Sequence, residues 1–172
     1  MERAEMTSID EIIKKLARNY KTRASNEGLP TEDELAFYRN RPSIASYAQA
    51  MWVPQTQNYG EMLRRLRPGD VVCDMGAGDL RFALLASQKC RKVYAVEFNP
   101  TIIADALRII GYDIPRNMVV ICGDWKDVVV PSDITVVTCL VNGAGVIPRW
   151  KNCKRRVYLG TVSTDGGKIE KL

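Results

Sequence analysis

The sequence predicts a doubly wound, mainly parallel α/β sheet preceded by an N-terminal helical extension, and three observations carry that prediction. Four short runs rich in Val and Ile, "DVVCDM", "KVYAVEF", "MVVICGD" and "DITVVTCLV", follow one another between residues 70 and 141. Each is too uniformly apolar for a half-exposed strand, which places all four at the centre of a parallel sheet covered on both faces. Helical patterns separate them, and alternation of strand and helix is the mark of βαβ units with right-handed crossovers.

Taken in order, residues 7–23 place Ile9, Ile12, Ile13, Leu16 and Tyr20 at three- and four-residue steps, an amphipathic helix that Thr7 or Ser8 can cap. "NEGLP" breaks it, and Thr31 followed by "EDE" starts a second helix that stops near Pro42. Ser43 begins a third, "SIASYAQAMW", ending before Pro54. Residues 1–53 therefore read as the helical extension and residues 54–172 as the sheet domain. "YGEMLRRL" gives a further helix, closed by a turn on Pro68 and Gly69. "LRFALLASQK" follows the first apolar run, "NPTIIADALRIIG" the second, and a short polar segment the third. "RRVYLGTVS" is a fifth strand, after which only "TDGGKIEKL" remains, so the sheet is expected to be short at its C-terminal edge.

A chain of 172 residues with 46% hydrophobic residues can bury a sizeable core without disulfides or metal. The long apolar runs are broken by Asp, Pro and Gly, and the N-terminus lacks the apolar core of a signal peptide, so a soluble, non-secreted, cytoplasmic protein with no membrane span is expected. Cys73, Cys90, Cys122, Cys139 and Cys153 are odd in number and form no CxxC pair, which reads as buried free thiols in a reducing compartment. The absence of histidine removes the commonest general base and the commonest metal ligand. The formal charge of +5 is uneven: residues 1–50 are balanced, whereas Arg149, Lys151, Lys154, Arg155 and Arg156 cluster with no acid among them. That cluster reads as a solvated basic face, or as a contact for nucleic acid.

In open α/β sheets, ligands bind beyond the carboxyl ends of the strands. There the first run supplies Asp74, Gly76, Ala77, Gly78 and Asp79, the second Glu97 and Phe98, the third Gly123, Asp124 and Trp125, and the fourth Thr138. Gly76 and Gly78 allow a tight turn and close approach to a ligand. Glu97, nineteen positions after Gly78, is spaced to accept both hydroxyl protons of a ribose. Asp124 can accept an adenine amino proton while the Trp125 indole covers the ring. Asp74 and Asp79 suit a cationic or zwitterionic ligand and repel a pyrophosphate. Arg81 also stands where a dinucleotide loop has its third glycine.

"DMGAGDLR", "VEFNP" and "CGDWKD", in that order, resemble the successive motifs of class I S-adenosylmethionine-dependent methyltransferases. The resemblance covers residues 52–142 and implies a Rossmann-like fold and S-adenosyl-L-methionine as cofactor. It implies that Asp74, Gly76 and Gly78 flank the methionine part, Glu97 the ribose, and Asp124 with Trp125 the adenine. Leu80 departs from the pattern, standing at the motif's third glycine. Within that superfamily, "WVPQTQNYG" and "DITVVTCLVN" are most similar to small archaeal-type protein-lysine methyltransferases, with Val53, Pro54 and Thr56 a loose match because Gln55 is inserted. Thr138, Cys139, Leu140, Val141 and Asn142 differ from the motif of enzymes acting on exocyclic amino groups of DNA bases or on glutamine amides, and argue against those acceptors.

Methyl transfer from a sulfonium needs alignment of the acceptor and exclusion of water, and no covalent intermediate, so the lack of histidine is no obstacle. Trp52, Tyr59 and Asn142 are the candidates beside the transfer site, the aromatics able to pack on a cation. The acceptor is not legible and a protein lysine is one candidate; the N-terminal helices are expected to cover the cofactor or shape the acceptor cleft. Two other readings stay open: a regulatory module without turnover, motivated by Leu80 and the short C-terminus, and an NAD-dependent oxidoreductase. Whether the chain is a monomer or a homo-oligomer is also open.

Overall fold

The computed structural model describes residues 7–25, 56–111, 113–124, 127–129, 131–140, 156–163 and 166–171. The second and third expected helices lie outside these residues, as do Trp52, Trp125, Asn142, Cys153 and all but the last member of the basic cluster. Helix α1 (Ile9–Ser25) starts where the Glu11 N–H donates to Ser8 Oγ, so Ser8 is the cap. Its buried residues Ile12 and Leu16 are one helical turn apart. Helix α2 (Thr56–Arg65) buries Asn58 and Met62 by the same spacing. The turn after it closes twice on Asp70: its N–H donates to the Arg67 carbonyl at 3.0 Å, and its carboxylate accepts the Arg67 N–H at 2.7 Å.

Strand β1 (Val71–Met75) is buried along its whole length. Helix α3 (Arg81–Ser87) returns to β2 (Lys92–Glu97), and α4 (Pro100–Ile110) then leads to β3 (Met118–Cys122). Asn99 caps α4 by accepting the N–H groups of Thr101 and Ile102, with Pro100 at the first helical position where its missing N–H costs nothing. β4 (Val136–Cys139), β5 (Arg156–Ser163) and β6 (Gly166–Lys171) complete a sheet of order β3-β2-β1-β4-β5-β6. The first five strands pair in parallel and β6 is antiparallel to β5. The fold is the expected doubly wound, Rossmann-like α/β sheet. No helix among the described residues is long and apolar enough to cross a membrane.

Two expectations change. β3 is not a central strand but the sheet edge, with Val119 37% exposed and Cys122 on the surface, so its thiol is not buried as those of Cys73, Cys90 and Cys139 are. Apolar composition does not separate an edge strand from a central one, because one covered face already demands apolar side chains. The segment read as a remainder after β5 is a strand: Ser163 pairs with Gly166, so two residues join β5 to β6, a connection that only an antiparallel pair can use. The Thr-Asp-Gly-Gly run was the available signal. α1 packs against α3 and α4 and joins the same core as the sheet.

The two faces of the sheet are chemically distinct. On one, Val71, Cys73, Met75, Tyr94, Val96, Val137 and Cys139 form an apolar layer. On the other, Val72, Val93, Ala95, Met118, Val136 and Tyr158 lie under α1, α2, α3 and α4. Registry sets Asp74 in the row Val120, Ala95, Asp74, Thr138, Tyr158 of this second face, with Glu97 one row nearer the carboxyl edge. Polar side chains thus enter the covered face at its carboxyl end, beside the point between β1 and β4 where the winding reverses.

Candidate functional site

The loop after β1 is bent over β2 by two hydrogen bonds, from the Gly76 and Ala77 N–H groups to the Val96 carbonyl at 2.8 and 3.0 Å. Gly76 and Gly78 have φ of 74° and 55°, the left-handed region that favours glycine. A Cβ on Gly78 would meet nothing within 4 Å, so this backbone faces open space. Leu80 stands in the same region at φ 68° and heads α3, yet its side chain is completely buried in the core under the helices. The motif's third position therefore keeps a glycine-like backbone, and its side chain points into the core.

Glu97 holds the loop from the neighbouring strand. Its Oε2 accepts the Gly78 N–H at 2.8 Å, and its Oε1 accepts the N–H groups of Phe98 and Asn99 at 2.9 and 3.0 Å. Burial pushes this carboxyl above its ordinary range, and the bonds from Asn99, Gly78 and Phe98 oppose that shift. The Gly123 N–H donates to the Glu97 carbonyl at 2.9 Å, setting Gly123 and Asp124 beside it. A Cβ on Gly123 would stand 3.0 Å from Val128 Cγ2, and the Asp124 carbonyl accepts the N–H groups of Asp127 and Val128, so the chain turns tightly after β3.

Asp74 is 2% exposed and accepts the Thr138 hydroxyl at 2.8 Å across the β1–β4 pair. Burial raises its pKa to about 7; the Thr138 bond opposes the shift and the negative charge of Glu97 adds to it. Asp79 is bound by the buried Arg81, whose Nε lies 2.7 and 3.0 Å from its two oxygens. Tyr59, on α2, stacks its ring at a tilt on Phe82 with centroids 5.4 Å apart. Burial first, then Asp79 and Asp74, push its phenol above the ordinary value, while Arg81 opposes them. That phenol keeps its proton and can donate a hydrogen bond; it is no base.

The structure thus gathers Asp74, Gly76, Ala77, Gly78, Asp79, Glu97, Phe98, Gly123, Asp124 and Thr138 around the carboxyl ends of β1 to β4, and brings Tyr59 over the same loop. Trp52, Trp125 and Asn142 lie outside the described residues. Sequence reasoning missed the Asp79–Arg81 pair and the Asn99 cap. A carboxylate two positions before an arginine at a helix start, and Asn-Pro-Thr before an apolar helix, were the signals for them.

The sequence matches no protein-family model, and no curated protein matches it. Solved structures do share its fold. A precorrin-6y C5,15-methyltransferase from Geobacter metallireducens superposes with a TM-score of 0.54 at 18% identity, over 66% of this chain and 66% of that one. The 23S rRNA methyltransferase ErmE gives 0.54 at 13% identity over 63% and 47%, and the Bacillus subtilis M1A22 tRNA methyltransferase TrmK 0.51 at 18% over 60% and 48%. The matched region spans about half to two thirds of these proteins' own length. At such identities the likeness establishes the fold, the Rossmann-like sheet common to these methyltransferases.

Proposed function

We propose that this chain binds S-adenosyl-L-methionine in the crevice above β1, β2 and β4 and transfers its methyl group to a nucleophilic acceptor. The observation that carries this reading is the set of acids entering one buried face at the switch point, Asp74 and Glu97 with Thr138, under a loop whose Gly78 backbone opens to free space. The residues present fit that cofactor: the acids accept from hydroxyl and ammonium donors, and their negative charge suits a cation. They suit a nicotinamide dinucleotide poorly, because a pyrophosphate over this loop would meet Asp74 and find Arg81 committed to Asp79.

Within this reading Gly76, Gly78 and Asp74 flank the methionine part, Glu97 accepts from a ribose hydroxyl through the one lone-pair site its three N–H donors leave on Oε2, and Phe98, Gly123, Asp124 and Trp125 border the adenine. When bound, the cofactor supplies a methyl group on a sulfonium, already activated for in-line displacement. The chain contributes alignment and dryness: Leu80 and Phe82 seal the loop from below, and the protonated Tyr59 orients polar atoms above it. Trp52 and Asn142 are further candidates for the acceptor side.

For the acceptor, RNA or a small molecule is better supported than a protein lysine, since the structural neighbours are named as precorrin, rRNA and tRNA methyltransferases. The net charge of +5 and the cluster at Arg149, Lys151, Lys154, Arg155 and Arg156 agree with an acidic acceptor. The test is incubation with methyl-labelled cofactor and a lysate fractionated into RNA, protein and small molecules. Label in the RNA or small-molecule fraction is expected; label confined to protein overturns the acceptor, and tight cofactor binding with no label anywhere overturns turnover.

A further inference from the structure

The geometry points to Asp74 as the residue that reads the charge of the bound ligand: in the ligand-free protein its carboxyl keeps a proton, and a ligand bringing a positive group to the crevice drives that proton off to solvent. The inference rests on the methyl-donor reading and adds to it a mechanism for telling a sulfonium donor from its neutral thioether product.

Three features carry it. Asp74 lies inside an otherwise uncharged row, between Ala95 and Thr138 with Val120 and Tyr158 beyond, and its hydrogen bond among the described residues is the one from Thr138 to Oδ1. Glu97, one row on, has N–H donors on both oxygens, so a proton placed there would face a donor, whereas Asp74 Oδ2 can carry one. The remaining groups among the described residues supply no net positive charge. From α2 comes Tyr59 with its proton in place, and from the loop and α3 come Asp79 and Arg81, which neutralise each other. A second ionised carboxylate beside Glu97 would therefore be a buried charge without compensation, and such a group stays neutral until a counter-charge arrives. The raised pKa of Asp74 agrees with this arrangement.

When a cation enters, the O–H bond of the Asp74 carboxyl breaks, the proton passes to water or buffer, and the carboxylate left behind faces the ligand's charge. Once the methyl group has gone the sulfur is neutral, the carboxylate loses part of its counter-charge, and a proton returns. Donor affinity therefore falls relative to product affinity as pH falls, and product release is favoured over donor release as pH rises toward about 7. The ligand charge being read is the sulfonium, which the donor carries and the product lacks.

The experiment is calorimetric titration of the protein at about pH 6, in buffers of different ionisation enthalpy, with S-adenosylmethionine, S-adenosylhomocysteine and adenosine. Close to one proton released per S-adenosylmethionine bound, none per adenosine, and an affinity falling roughly tenfold for each pH unit below about 7 are expected. Asp74→Asn, which has the shape of the protonated acid, should bind without proton release, and Thr138→Val should extend release to higher pH. No release with S-adenosylhomocysteine is expected; release equal to that with S-adenosylmethionine would mean that the ammonium common to both is the charge read, and overturns the discrimination between donor and product. Binding of S-adenosylmethionine with no proton released, or equal release from Asp74→Asn, overturns the inference while leaving the cofactor assignment intact. No binding at any pH overturns the cofactor assignment and this inference with it.

Discussion

The Gly78 N–H points at Glu97 Oε2 over 2.8 Å, closing a link between the glycine loop and the end of β2 across nineteen residues. By its spacing alone this carboxylate is one that accepts from a ribose. In the structure the same carboxylate first fixes the loop that shapes the crevice, so binding and loop geometry share one side chain.

Glu97→Gln keeps the shape and replaces one acceptor oxygen by an NH2 group, which must face an N–H of Gly78 or of Phe98 and Asn99. Leaving a buried donor unsatisfied costs about 1 to 3 kcal/mol. A lower melting temperature and a dissociation constant for S-adenosylmethionine raised about tenfold or more are expected. Unchanged values in both would remove Glu97 from the loop and from the site.

Leu80 sets two effects against each other. A left-handed backbone costs an L-residue about 1 to 2 kcal/mol, whereas truncating a buried leucine costs about 2 to 5, so burial wins and Leu80 stays. Leu80→Ala loses the packing and keeps the strain; Leu80→Gly loses the same packing and is relieved of the strain. The glycine variant should be the more stable of the two by about 1 kcal/mol in urea unfolding, the reverse of the order inside a helix. An alanine variant at least as stable as the glycine one would mean that φ at this position is not left-handed in solution.

Arg81→Met leaves Asp79 charged beside a buried apolar side chain. Arg81 is 7% and Asp79 18% exposed, so water recovers only part of the loss, and about 3 kcal/mol of destabilisation is expected. Adding Asp79→Asn should restore part of that stability, because the unpaired charge goes with it. A double variant no better than Arg81→Met would show that the guanidinium acts through packing alone.

Asp74 makes stability fall as pH rises through the acid range. Its pKa moves from 3.8 to about 7 on folding, so between those values the folded chain holds a proton that the unfolded chain has released. Stability declines across that window by up to about 1.4 kcal/mol per pH unit and is flat with respect to this group above it. In ligand-free protein, unfolding midpoints of Asp74→Asn should lack this slope, so the difference between variant and parent should widen from about pH 4 to about 7. A constant difference would place the titration of Asp74 outside the window.

What the sequence determined by itself was the part written in local patterns. Apolar runs alternating with helical spacings gave the doubly wound sheet, and with it the position of Gly76, Gly78, Glu97 and Asp124 at the carboxyl ends of its strands. Composition also supplied the free thiols of Cys73, Cys90 and Cys139. Tertiary structure decided everything that depends on which strands lie side by side. It put β3 at the edge and folded the last residues back as antiparallel β6. It paired Asp74 with Thr138 from 64 positions away, and gave Leu80 a buried side chain on a left-handed backbone. The physical reason is that helix and strand periods repeat within a few residues, whereas registry, burial and the protonation of a buried acid are set by neighbours that the chain brings together only on folding.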